Sequence, residues 1–160
     1  MPPSLVQIRA ATIADLDQIL ELIHQKAAFD GVREPLPVTS TRLRQTLFSD
    51  RPCAEVLLAA VNDRAVGFVL FFPTYSSFLA QPSLWIDDLF VQADWRRQGI
   101  GTTLLSAVVN TAKTRNCGRI EWTVATSNAT GIEFYQHHGA QIREQVRLCR
   151  LPLPCSLNLP

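Results

Sequence analysis

"ADWRRQGIGTTLL", residues 93–105, places two arginines, a glutamine and two glycines between an apolar run that reads as a strand and another that reads as a helix. The strand is "LWIDDLFVQ", residues 84–92. Alternation puts Trp85, Asp87, Leu89 and Val91 on one of its faces and Ile86, Asp88 and Phe90 on the other, so the two aspartates point in opposite directions. The helix, expected over residues 100–115, carries Ile100, Leu104, Leu105, Val108 and Ala112 as a single buried stripe. A strand that turns directly into a helix gathers backbone N–H groups with no intrahelical acceptor, backed by the positive end of the helix dipole. Gly99 and Gly101 let that backbone approach a ligand closely, and Arg96 and Arg97 can add bidentate phosphate contacts. The stretch therefore reads as an anion site. On Gly-x-Gly alone, an ordinary strand-to-helix turn with solvated arginines is an equal alternative. Spacing excludes two phosphate loops: Leu104 stands where a dinucleotide fingerprint needs its third glycine, and the Gly-Lys-Ser/Thr of a P-loop is absent.

Working outward, "VQIRAATIADLDQILELIHQKAAFDG" opens with a short strand and continues as a helix with Leu16, Ile19, Leu20, Ile23 and Ala27 on one face. Thr12 is its expected N-cap, and Asp15 lies in the first turn, where the dipole favours negative charge. Pro35 and Pro37 interrupt the chain before a shorter helix in "TSTRLRQTLF". Strands "AEVLLAAV" and "AVGFVLFFPTY" follow, joined by the hairpin chemistry of Asn62-Asp63-Arg64, and "SSFLAQPS" reads as a surface loop. Beyond the central helix come a strand in "GRIEWTVAT", a helix over residues 128–138 capped by Asn128 and stopped at Gly139, and a last strand in "QVRLCRL". The tail "PLPCSLNLP" is too proline-rich to extend it. This order implies a layered α/β domain.

Bulk properties fit one globular domain over residues 1–160, with 47% hydrophobic and 18% charged residues. A net charge of +1 provides no overall field for nucleic acid or an anionic membrane. No apolar run reaches the roughly 20 residues of a membrane span. "MPPSLVQIR" lacks the basic start and apolar centre of a secretory signal, so a cytoplasmic protein is expected. Cys53, Cys117, Cys149 and Cys155 are widely spaced, with no zinc-type pairing, and are expected to be reduced thiols; no metal is expected.

Arg96-x-x-Gly99-x-Gly101 resembles the Arg/Gln-x-x-Gly-x-Gly/Ala loop of the GNAT superfamily of N-acetyltransferases. "IDDLFVQADWRRQGIG" and "NATGIEFYQHHGA" are similar to that family in order and spacing across residues 86–140, and "IRAATIADLDQILEL" resembles its opening strand and helix. Within the superfamily the chain looks most like the diamine and polyamine acetyltransferases of the spermidine/spermine type and their thialysine-acetylating relatives.

The resemblance implies a three-layer α/β fold with a mixed central sheet between helices, and acetyl-CoA as cosubstrate. It implies that Arg96, Arg97, Gln98, Gly99, Ile100, Gly101 and Thr102 hold the pyrophosphate, while backbone groups of Leu89, Phe90 and Val91 pair with the pantetheine arm. Asn128 and Gly131 match positions near that arm, though Asn128 can equally serve only as a helix cap. Asp87 matches the acidic residue proposed as base and substrate contact, although the family often has the longer Glu there. Such a base is needed because an alkylamine with a pKa near about 10 arrives protonated at neutral pH. Tyr135 matches the general acid that protonates the departing thiolate; without the resemblance it would read as a core tyrosine. Asp30, Glu144 and, more weakly, Glu121 fall where acidic contacts to the amine are placed, each also a common surface charge. Arg33, Arg42 and Arg44 oppose a multiply charged cation, and Ser127 stands where the family commonly has Trp. These departures count against long polyamines and make a smaller monoamine or an amino-acid side-chain amine a credible acceptor.

The leading expectation is therefore acetyl transfer to a primary amine of a small molecule, a diamine, polyamine or lysine-like amine, in a ternary complex, because Cys117 has no evident His partner for a covalent route. Competing expectations are an acyl-CoA-binding regulatory module, which would need neither Tyr135 nor Asp87, and a protein-amine acetyltransferase. A homodimer is expected by resemblance, with the late strands and tail at its interface.

Overall fold

The computed structural model describes residues 6–153. Cys155 and most of the proline-rich tail lie outside the described residues. Contacts divide the chain into two compact units, the first ending at Thr123 and the second beginning at Val124.

The first unit is a five-stranded sheet in chain order: β1 (Gln7–Ala10), β2 (Glu55–Val61), β3 (Arg64–Ser76), β4 (Gln81–Val91) and β5 (Ile120–Trp122). The first three pairings are antiparallel and β4 with β5 is parallel, so the sheet is mixed. Asn62 and Asp63 turn β2 into β3 with φ of 47° and 64°, the left-handed pair that a two-residue hairpin turn demands. The loop expected over residues 76–83 is shorter than the sequence implies. Strand pairing continues through Thr74↔Ser83 to Ser76↔Gln81, leaving only residues 77–80 as the turn. Backbone ladders do not require apolar side chains, so alternation alone misplaced this boundary.

Between β1 and β2 run α1 (Leu16–Phe29) and α2 (Ser40–Leu47). Leu16, Ile19 and Leu22 of α1 and Leu43 of α2 bury against Val56, Leu58, Phe68 and Phe90. Leu22 was not on the expected face; Leu20 and Ile23 pack at the edge of this cluster instead. The other sheet face, carrying Val69, Phe71 and Leu84, meets α3 (Ile100–Thr114), whose buried residues are the five of the expected stripe.

Asp15 is the anchor of the N-terminal end. It is 4% exposed, accepts two 2.8 Å hydrogen bonds from the Arg9 guanidinium, and accepts a third from the Thr12 backbone N–H at 2.7 Å. The Arg9 hydrogen bonds, outweighing burial and helped by Thr12, hold its carboxyl far below the usual carboxylate range. Asp15→Ala is expected to cost about 2–3 kcal/mol, because it leaves Arg9 and the Thr12 N–H without their acceptor. The depressed value also fixes the pH dependence. The unfolded chain takes up this proton first, so the contribution is complete above about pH 4 and is lost as pH falls toward the native value. Thermal melts of wild type and variant should therefore converge as pH drops below about 4.

The second unit holds α4 (Ala129–His137), ended at Gly139 with φ of 89°. The strand expected in "QVRLCRL" is not formed: residues 144–145 turn and the following stretch is irregular. Val146, Leu148 and Leu151 are exposed. Apolar alternation stabilises a strand only against a neighbouring ladder, and this segment pairs with none among the described residues.

Candidate active site

β4 is where alternation misleads. In its pairing with β3, Leu70 faces Asp88 and Phe71 faces Ile86, so Asp87 is an extra residue with no partner. This β-bulge flips the parity of the strand. Ile86 therefore sides with Leu84 on the α3 face, whereas Asp88 and Phe90 lie on the α1 face, correcting the expectation that Ile86, Asp88 and Phe90 share one face. Asp87 itself is exposed.

The bulge also marks where the sheet opens. β5 pairs with β4 only from Leu84 to Ile86, and beyond that point Asp87, Leu89, Phe90 and Val91 have no strand on the β5 side among the described residues. Unpaired strand backbone of this kind is what an extended ligand can hydrogen-bond to. From its end, a 3-10 turn at Ala93–Trp95 leads through Arg97, at φ of 63°, and Gly99, at φ of 81°, into α3. The Thr103 N–H and hydroxyl both donate to the Gly99 carbonyl at 3.0 Å, closing the first helical turn. The N–H groups of Ile100 and Gly101 precede the first intrahelical bond, and the Ile100 side chain is buried, so its backbone is what it offers. Gln98 donates to the Asp94 carbonyl at 3.2 Å, and Arg97 is exposed.

Arg96 is placed differently from its neighbour. Its Nε donates to the Val91 carbonyl at 2.8 Å, and its guanidinium lies 4.7 Å from the Phe29 ring centre and 5.5 Å from that of Phe90. It thus clamps the end of β4 to the end of α1, whereas the Arg97 side chain is exposed. Gln92 adds a second tie, donating to Gln25 at 3.1 Å.

The acidic residues are also sorted. Asp88 is partly buried, 3.7 Å from Lys26, and Lys26 pairs in turn with Asp30 one helical turn on. Burial raises the Asp88 carboxyl above its ordinary value; Lys26 opposes this, while Asp87 and Asp30 add to it. Neither Lys26 nor Asp88 was singled out from sequence, since a lysine four residues before an aspartate reads as a solvated helix pair. Glu121 pairs with Arg119 at 3.0 Å, both about half exposed.

In the second unit, the Asn128 side chain accepts from the Gly131 N–H at 3.0 Å and caps α4. A Cβ at Gly131 would stand 2.5 Å from the Asn128 amide, so only glycine leaves this cap in place. Tyr135 lies on α4, its ring 5.2 Å from that of Phe134. Glu144 is exposed in the turn after the helix. Among the described residues no group of three or more His, Cys, Asp or Glu is arranged to hold a metal.

A mixed sheet whose β4 outruns β5 and then runs through Gly99 into α3 is an α/β arrangement with unpaired backbone groups beside a helix N-terminus, the kind of place that can take an extended anionic ligand. The chain belongs to the acetyltransferase (GNAT) family, whose sequence model matches residues 16–140, and it is an N-acetyltransferase. It is 34% identical to L-ornithine N5-acetyltransferase of Arabidopsis thaliana over 91% of this chain and 83% of that protein. It is 27% identical to thialysine N-epsilon-acetyltransferase of Bos taurus over 85% of this chain and 84% of the relative. An integron cassette protein from Vibrio cholerae is 25% identical, with a TM-score of 0.76 over 93% of each chain. An aminoglycoside acetyltransferase from a soil metagenomic sample shares the fold, with a TM-score of 0.80 over 96% of this chain and 99% of that one. Family, fold class and enzyme class thus agree with the sequence reading, and no helix is long and apolar enough to cross a membrane among the described residues.

Proposed function

We propose that this enzyme transfers the acetyl group of acetyl-CoA to a primary amine on a small molecule, directly within a ternary complex. The observation that carries the reading is the open edge of β4 leading into the N-terminus of α3. Bound acetyl-CoA supplies an activated acetyl thioester. Leu89 and Val91 offer backbone groups to its pantetheine amides, and Arg97, Gly99, Ile100, Gly101 and Thr102 hold its pyrophosphate. The family resemblance supports roles for Asn128 and Gly131 toward the arm, for Asp87 as acceptor of the ammonium proton through water, and for the Tyr135 hydroxyl as proton donor to the departing sulfur. The family match runs through the boundary at Thr123, which supports one acetyltransferase domain built from both units. The relatives acting on ornithine and thialysine support an amine on an amino-acid-like side chain as acceptor. A cytoplasmic homodimer completes the reading.

Initial rates with both substrates varied test the transfer route. Lines that intersect are expected, and parallel lines would instead require an acetyl-enzyme. A second test addresses the cradle. Gly99→Val forces a β-branched residue into left-handed backbone at an unfavourable cost of at least about 1–2 kcal/mol. The KM for acetyl-CoA should rise about tenfold or more, while Gly99→Asn, whose side chain tolerates that region, should stay within about threefold of wild type.

A further inference from the structure

The acid cluster on the α1 face already contains a cation. Lys26 is only 19% exposed at its side chain, and its ammonium lies between Asp30 on its own helix and Asp88 on β4, 62 positions along the chain. An exposed pair one helical turn apart would be a weak surface feature. Here the second carboxylate comes from another element, itself mostly buried, beside the bulged Asp87. Asp30 and Asp88 thus share one resident ammonium, with Asp87 next along the bulged strand.

We propose that Lys26 is a specificity-determining residue whose ammonium fills the cation position between Asp30 and Asp88, so that the acceptor enters with one ammonium group, or with a second balanced by its own carboxylate, and polyamines are disfavoured. The inference rests on the amine-acetyltransferase reading above. A multiply charged amine would need Asp30 and Asp88 as counter-ions for its remote ammonium, and both are engaged. It would also meet Lys26 as a like charge. At a partly buried site a unit charge within about 4–6 Å changes affinity by tenfold or more. Asp87 remains outside the pairing and available to the reacting nitrogen.

The test uses the full chain with saturating acetyl-CoA and two acceptors that share a four-carbon chain and differ in charge, butylamine and 1,4-diaminobutane. Lys26→Met removes the charge while keeping length and helix propensity; Lys26→Arg keeps the charge. The ratio of kcat/KM for the diamine over the monoamine is expected to rise at least about tenfold in Lys26→Met and to hold in Lys26→Arg. An unchanged ratio in Lys26→Met, with both amines turned over, overturns the role of Lys26 while leaving the acetyltransferase reading intact. Should wild type acetylate neither amine, calorimetric affinities for the same pair decide: a diamine gain of about tenfold or more in Lys26→Met supports the inference, and equal or unmeasurable binding of both overturns it. Lys26→Gln replaces Lys26→Met if the latter does not fold.

Discussion

Tyr135→Phe is expected to lower kcat about a hundredfold while leaving the KM for acetyl-CoA within about twofold, since general acid catalysis contributes roughly 10²–10⁴. The substitution removes one oxygen and keeps the ring that packs beside Phe134 on α4. A thermal melt alongside the kinetics checks folding, and the loss should fall on the step in which sulfur departs. An acetyl donor with a more acidic thiol leaving group needs less protonation. The variant should recover at least tenfold of its deficit with such a donor, a response that a merely misfolded helix would not give. Equal kcat values for wild type and Tyr135→Phe with acetyl-CoA would remove the tyrosine from the chemistry.

Asp87→Asn carries the second large effect, a loss of about a hundredfold in kcat/KM for the amine at neutral pH. The bulge matters here. An extra residue in β4 leaves Asp87 without a ladder partner and exposed, while its neighbour Asp88 is committed to Lys26. Bulges re-aim a side chain and terminate pairing, and both happen at this residue, where β5 ceases to accompany β4. The amine is itself an acid with a pKa near about 10, so at higher pH more of it arrives already neutral. The deficit of Asp87→Asn should therefore shrink as pH rises toward that value. A deficit that is constant from neutral pH to about pH 9.5 would mark Asp87 as a binding contact and not a proton acceptor.

How far these assignments could be read from the chain depends on whether the signal is local. The α3 stripe, the Asn62-Asp63 turn and the Asn128 cap each depend on residues within a few positions of one another, and each forms as the pattern dictates. The turn at Gly99 into α3 is legible for the same reason, since the glycine and the helix start are adjacent. What was not legible depends on partners far along the chain. The bulge at Asp87 is a mismatch between β3 and β4 that no alternation within β4 reveals. Lys26 acquires its meaning only when β4 brings Asp88 to it. Arg96 looks interchangeable with Arg97 in sequence, yet Phe29 and Phe90 draw it back onto the fold. The strand expected after residue 144 failed in the opposite sense: its alternation is real, but Val146 and Leu148 find no ladder to join among the described residues.

The most direct test of the central claim is to incubate the protein with acetyl-CoA carrying an isotopically labelled acetyl group and a panel of small amines, including ornithine and lysine analogues, and to follow label and free thiol together. The account predicts labelled N-acetyl amine and free coenzyme A appearing in equal amounts. Stoichiometric binding of acetyl-CoA with no labelled amine from any member of the panel would contradict it, and would identify the open edge of β4 as a site for binding alone.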